Sequence, residues 1–190
     1  MTNNNNEITS ESKNERGIFL ITGIMAAGKS TIAQLLSERL EKSVHVRGDL
    51  FRKMIVNGGV GMSDTPSIEA LEQLRLRYKL AAKVSDEYYQ SGFNVVLQDV
   101  IIGPMLQDIV EYIQHRPLYV IVLTPRPEIV AAREASRPKK GYGAMDISSL
   151  ESVLQSETPR IGMWIDSSNL TPEETVDEIL RRVFTEAKIQ

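Results

Sequence analysis

Cysteine is absent from all 190 residues. That excludes disulfides, thiolate metal sites and a cysteine nucleophile, and it is the usage expected of a reducing, cytoplasmic compartment. An excess of positive charge is also missing: 22 Lys and Arg stand against 25 Asp and Glu, a formal charge of −3. The chain therefore lacks the basic footprint on which nucleic-acid binding usually rests. No apolar run reaches the length of a membrane span, and the first residues lack the charged-then-apolar pattern of a secretion signal. Histidine occurs twice. His45 falls inside a predicted strand and reads as a packed residue, and His115 falls at a helix end. What the chain does have is 42% hydrophobic residues, enough for the core of one α/β domain of this length.

Residues 1–15, "MTNNNNEITSESKNE", are polar and repetitive. They offer too little apolar surface to offset the entropy of ordering and are expected to form a disordered tail. Residues 16–190 read as a single domain in which apolar strands alternate with helical patterns, the signature of a parallel sheet with crossover helices. The strands are expected at 17–22, "SVHVR", "FNVVLQ", "LYVIVL" and "GMWI". Helices are expected at 29–41, from Asp49 to the Asn57-Gly58-Gly59 stop, at 67–91, after Gly103-Pro104, at 126–136, at 148–157 and after Thr171-Pro172. The fold class is α/β: a three-layer fold with a five-stranded parallel sheet flanked by helices.

Between the first strand and the first helix lies "GIMAAGKS", residues 23–30. Its spacing is G-x-x-x-x-G-K-[ST], the phosphate loop, and the strand before and helix after supply the context it requires. Gly23 and Gly28 let the backbone curl into a nest, with Ala26 and Ala27 between them, and the helix dipole points at the same spot. Lys29 would reach the β- and γ-phosphates of a nucleotide. Ser30 would ligate Mg2+, and Thr31 would touch the α-phosphate.

Ligands of such sheets bind at the carboxyl ends of the strands. Asp49 stands at the end of the second strand, with Arg52 one helical turn on. A phosphoryl acceptor needs a carboxylate to orient its hydroxyl and a cation to hold it; alone, the pair would be an N-cap and an i,i+3 ion pair. Asp99 follows the third strand as a Mg2+ or acceptor carboxylate, with Gln98 beside it as a further acceptor contact. Arg133 and Arg137 share a helix face ahead of the basic segment 137–146, where Lys139, Lys140, Gly141 and Gly143 suit a mobile lid over the triphosphate. After the fifth strand, Ser168 and Asn169 are placed to edge an adenine ring.

These residues together resemble the P-loop kinase superfamily, and most closely its branch of chloramphenicol phosphotransferase, zeta toxins and the kinase domain of phage polynucleotide kinase. The resemblance covers about residues 16–190. It implies that Asp49 acts as base toward an acceptor hydroxyl, that Arg52 binds acceptor, and that Arg133 and Arg137 contact ATP phosphates. The implied function is a Mg2+-ATP-dependent kinase acting on a hydroxyl of a small molecule, an antibiotic, sugar or nucleoside-like compound. A polynucleotide 5′-hydroxyl kinase is the nearest alternative, kept open by Arg75, Arg77 and Lys79. Nucleoside monophosphate kinases rank lower, because no Asp-Gly-aromatic-Pro follows the third strand. A nucleotide switch or interaction protein would need neither Asp49 nor the lid arginines; the guanine-reading Asn-Lys-x-Asp is absent, and after the third strand stands Gln98-Asp99 where a motor would carry Asp-Glu.

Overall fold

A computed structural model describes residues 15–136 and 146–189. β1, Ile18–Thr22, is buried along its whole length. Its unbroken apolar run places it in the middle of a parallel sheet covered on both faces, as such a run should. β3, Asn94–Gln98, pairs with one side of β1 and β4, Leu118–Leu123, with the other. β2, Ser43–Arg47, lies outside β3, and β5, Met163–Ile165, outside β4. The order β2-β3-β1-β4-β5 is parallel throughout. A sixth strand, β6 (Lys188–Ile189), pairs antiparallel with the start of β4, at Leu118 and Tyr119, leaving Ile121–Leu123 of the same edge to β5. Two residues are too few to carry an alternation signal, so this strand does not show in the sequence.

The helices form two outer layers. α1, Lys29–Arg39, packs with α7, Pro172–Glu186, on one face; α3, Ile68–Gln90, packs with α4, Met105–Tyr112, on the other. Phe19 stacks on Tyr119 with ring centroids 4.9 Å apart, and Phe184 of α7 meets both edge-on. α7 starts with a capping box between Thr171 and Glu174, with Pro172 at the first turn. α2, Asp49–Lys53, is shorter than the sequence implied, ending before Ile55 and Val56 rather than at Asn57-Gly58-Gly59. The chain from Gly58 to Val60 is instead tied to α3: the Gln73 amide donates to the Gly58 carbonyl (2.7 Å) and its Oε1 accepts the Val60 amide (2.8 Å). α5 covers Pro127–Ser136, and α6, Ile147–Ser152, widens into a π-type turn over Val153–Glu157. Among the described residues no helix is long and apolar enough to cross a membrane.

This order has a functional consequence. The loop after β1 sits at the centre of the carboxyl edge. The ends of β2 and β3 flank it on one side and those of β4 and β5 on the other.

Candidate active site

The loop after β1 has the geometry of an anion cradle. Gly23 adopts φ 141° and Gly28 φ 99°, and Ala26 joins them in the left-handed region at φ 61°. A Cβ on Gly23 would lie 2.5 Å from the Leu123 carbonyl oxygen, so the loop fits against β4 only with glycine there. Gly28 is the cap of α1 and offers no side-chain acceptor, and the first turn of α1 holds no acidic residue. The positive end of the helix is therefore left for an external anion. Lys29 is buried and donates from Nζ to the Ile24 carbonyl at 2.7 Å, which holds its ammonium inside the loop's curve. Ser30 and Thr31 are exposed, and the Ser30 hydroxyl points to Gln98 Oε1 at 3.4 Å. The loop's base is fastened to the segment after β3: Thr22 Oγ1 donates to the Ile101 carbonyl (2.6 Å) and accepts the Ile101 amide (2.9 Å).

On the β4–β5 side, Arg133 of α5 reaches across the loop. Its guanidinium donates to the Ala27 carbonyl and to the Ser167 carbonyl, each at 3.3 Å. Ser168 Oγ accepts the Arg126 amide at 2.8 Å, and Asn169 Oδ1 accepts from the Arg126 guanidinium at 3.2 Å. The Ser168 hydroxyl and amide both donate to Asp166, holding its carboxyl below the usual range. Arg126, which the sequence reading passed over, thus organises the edge on which Ser168 and Asn169 sit.

On the β2–β3 side, Asp49 is the first helical residue of α2, and Gly48, not Asp49, occupies the cap. The N-cap alternative for Asp49 therefore does not hold. Its carboxylate pairs with Lys53 Nζ at 2.5 Å, one turn along. Partial burial works against its charge, but Lys53, then Arg77 and Arg47, outweigh it and hold the carboxyl below its ordinary value. The Arg52 side chain has no hydrogen-bond or ion-pair partner among the described residues. It lines a cavity of about 70 Å3 between α2, the following loop and α3, with Phe51, Ile55, Leu74 and Arg77 among the walls.

Asp99 is 3% exposed and fully engaged. Arg77 grips it with Nε, at 2.5 Å from Oδ2, and with Nη2 on Oδ1, and the Val100 amide donates to Oδ1 at 2.7 Å. The sequence reading gave Asp99 to Mg2+ or to the acceptor; its two oxygens are instead taken by a residue 22 positions earlier. Arg77 was visible only as part of a basic patch. Lys53 could have been found from its i+4 spacing to Asp49. Arg137 and the segment 137–145 lie outside the described residues, as do residues 1–14 of the expected tail. Glu15, counted with that tail, pairs with Lys188 at 2.8 Å.

The gathered residues can be set beside known proteins. A protein of Thermococcus onnurineus named provisionally as an adenylate kinase is 29% identical over 177 residues, covering 86% of this chain and 82% of its own. The cytidylate kinase of Sulfurisphaera tokodaii is 25% identical over 174 residues, 83% of this chain and 89% of its own. In fold, a sugar kinase from Janibacter sp. HTCC2649 superposes with a TM-score of 0.67 at 16% identity, over 88% of this chain and 94% of that one. A family profile described as an AAA domain matches residues 19–153, the stretch that runs from β1 through the phosphate loop, Asp49 and Asp99 to Arg133 and the end of α6. With most of its length inside that match, and a phosphate loop at the centre of a 2-3-1-4-5 sheet, the chain belongs to this AAA-domain family of nucleotide-binding P-loop proteins and is a member of the P-loop kinase superfamily.

Proposed function

We propose that the protein is a Mg2+-ATP-dependent phosphotransferase that moves the γ-phosphoryl group to a hydroxyl of a small molecule. The observation that carries this reading is that Asp49 and Arg52 follow the carboxyl end of β2, on the same sheet edge as the phosphate loop, and that Arg52 lines a cavity there. A protein that only bound nucleotide would need neither. In the transfer, the acceptor oxygen bonds to the γ-phosphorus, the bond to the bridging oxygen of ADP breaks, and the hydroxyl proton passes toward Asp49. Lys53, Arg77 and Arg47 keep Asp49 ionised. Such a weak base acts chiefly by orienting the hydroxyl, which suits the loose transition state of phosphoryl transfer. Lys29 and Arg133 are the cations facing the phosphates, and Gly23, Ala26, Ala27, Gly28 and Thr31 form the cradle. Arg137 carries the same role from its sequence position. Ser168 and Asn169 edge the base.

Magnesium, when bound, neutralises charge on the transferring phosphates. Among the described residues no group of three or more His, Asp or Glu stands together as a ready metal cage. The fit is instead the exposed Ser30 hydroxyl together with oxygens of the nucleotide itself. Asp99, with both oxygens occupied, does not suit a direct ligand.

A second reading, transfer to a nucleoside monophosphate, is favoured by the names of the two relatives by sequence. ADP release measured over a library of hydroxyl compounds, with AMP and CMP included, separates the two. The expected result is turnover with a hydroxyl compound that falls by on the order of 100-fold in Asp49→Asn. Turnover confined to AMP or CMP establishes the second reading, and ATP binding without turnover on any acceptor removes both.

A further inference from the structure

The cavity beside Asp49 is walled by Phe51, Ile55, Val60, Met62, Leu74 and Leu80. Exposed apolar side chains stand on the same two elements: Leu76 and Leu80 keep 51% and 39% exposure on α3, Leu50 keeps 46% on α2, and Met54, just past the end of α2, keeps 69%. Among the described residues two cations line this space, Arg52 and Arg77. They differ sharply. Arg52 has no partner among the described residues, whereas the Nε–Nη2 edge of Arg77 closes on the buried carboxylate of Asp99. A guanidinium paired in this way has its charge largely offset and one edge of its planar fork, Nε and Nη2, committed. A phosphate monoester in a mostly apolar pocket needs close to two positive charges to offset its desolvation.

We propose that Asp99 sets acceptor selectivity by clamping Arg77, so that the site takes a phosphate-free hydroxyl compound with an apolar body and at most one singly charged group, held by Arg52. This rests on the phosphotransferase reading and sharpens its acceptor. Two further contacts keep the clamp in place. The Val100 amide fixes Oδ1, and Gly48 lets the Asp99 side chain press against the backbone before α2, where a Cβ would overlap the carboxylate. The charge that could read a phosphate is thus present in the pocket and withdrawn from use.

The test is a binding measurement, so it stands apart from turnover. AMP and inorganic phosphate are titrated by calorimetry into the wild-type protein, into Asp99→Ala and into the double variant Asp99→Ala, Arg77→Met, each with its phosphate loop filled by a non-hydrolysable ATP analogue. The wild type is expected to bind neither probe below millimolar concentration. Asp99→Ala, with Arg77 released, should bind AMP at least 10-fold tighter, and the double variant should lose that gain. A structural role alone would lower affinity and not raise it. Micromolar AMP binding by the wild type, or equal affinities in folded wild type and Asp99→Ala, overturns the proposal. Should the single variant not fold, the wild-type titration still decides. Loss of all acceptor turnover with these affinities intact would sink the phosphotransferase reading and leave the clamp standing.

Discussion

The two flanks of the phosphate loop are built on different principles. On the β4–β5 side most contacts engage the main chain: Arg133 donates to two carbonyls, and the Arg126 amide seats Ser168 while its guanidinium holds Asn169. On the β2–β3 side charged side chains answer each other: Lys53 answers Asp49, and Arg77 answers Asp99. If the first flank holds the nucleotide, a ligand of fixed chemistry, a largely main-chain scaffold suffices. Under the proposed function the second flank discriminates among acceptors by which of its charges remain available. Nucleotide binding and acceptor choice should therefore separate under mutation.

Asp49→Asn should break the pairing of the two sides most deeply. Removal of a general base costs roughly 10²–10⁴-fold in rate, and the loose transition state pulls the loss toward the lower end. Because Asp49 does not cap α2, the fold is expected to persist. ATP affinity, measured on the same sample, should stay within about threefold; a parallel fall in both would move Asp49 to the nucleotide side.

Lys29→Ala is the converse. Charge-assisted contacts of this kind contribute about 1.5–3 kcal/mol, so ATP should bind roughly 10- to 150-fold more weakly. Acceptor binding, followed by calorimetry without nucleotide, should be unchanged. Wild-type ATP affinity in this variant, with normal turnover, would contradict the placing of its ammonium within the loop.

Gly48→Ala sharpens the comparison from the backbone. The added methyl would overlap the Asp99 carboxylate, and overpacking of this kind costs about 1–3 kcal/mol. Denaturant unfolding should show that loss, and acceptor discrimination should weaken while ATP affinity holds. Unchanged stability would mean that Asp99 can shift freely, against the clamp.

The smallest effect concerns His45 on β2. Burial, and then Arg47, lower its pKa to about 4, and Asp49 opposes them only in part. Its Nδ1 lies 3.0 Å from Gln34 Oε1, while its buried Nε2 has no partner among the described residues. Since the unfolded ring titrates higher, the unfolded chain binds the extra proton first. Stability should be full above about pH 6.5 and fall as pH drops toward 4, by on the order of 1 kcal/mol once solvent screening of a half-buried ring is allowed for. Urea unfolding at pH 7 and pH 4.5, for wild type and His45→Gln, measures this. An equal pH dependence in both would assign the acid loss elsewhere.

How far the sequence reads differs between the same two flanks. The phosphate loop is contiguous, and its glycines, lysine and serine keep fixed spacing because the backbone itself forms the cradle. Arg133 and the Ser168-Asn169 pair were legible from their places after β4 and β5. Asp49 and Arg52 were legible too, although the cap role open to Asp49 passed to Gly48. The end of α2 was misjudged because its stop comes from Gln73, which ties down Gly58 and Val60 from another helix. β6 was too short to leave a pattern.

By itself, the sequence determined the fold class, the strand and helix succession and the nucleotide cradle, because each rests on local periodicity or on a motif whose atoms come from one stretch of chain. Only the tertiary structure decided the state of the acceptor side. Arg77 lies in the middle of α3 and Asp99 at the end of β3, and no spacing rule links them. They meet because α3 packs across β3 and turns that face of the helix toward the carboxyl edge of the sheet. Whether a buried carboxylate holds a metal, an acceptor or an arginine depends on which charge stands nearest in space, and proximity of that kind exists only once the layers have closed.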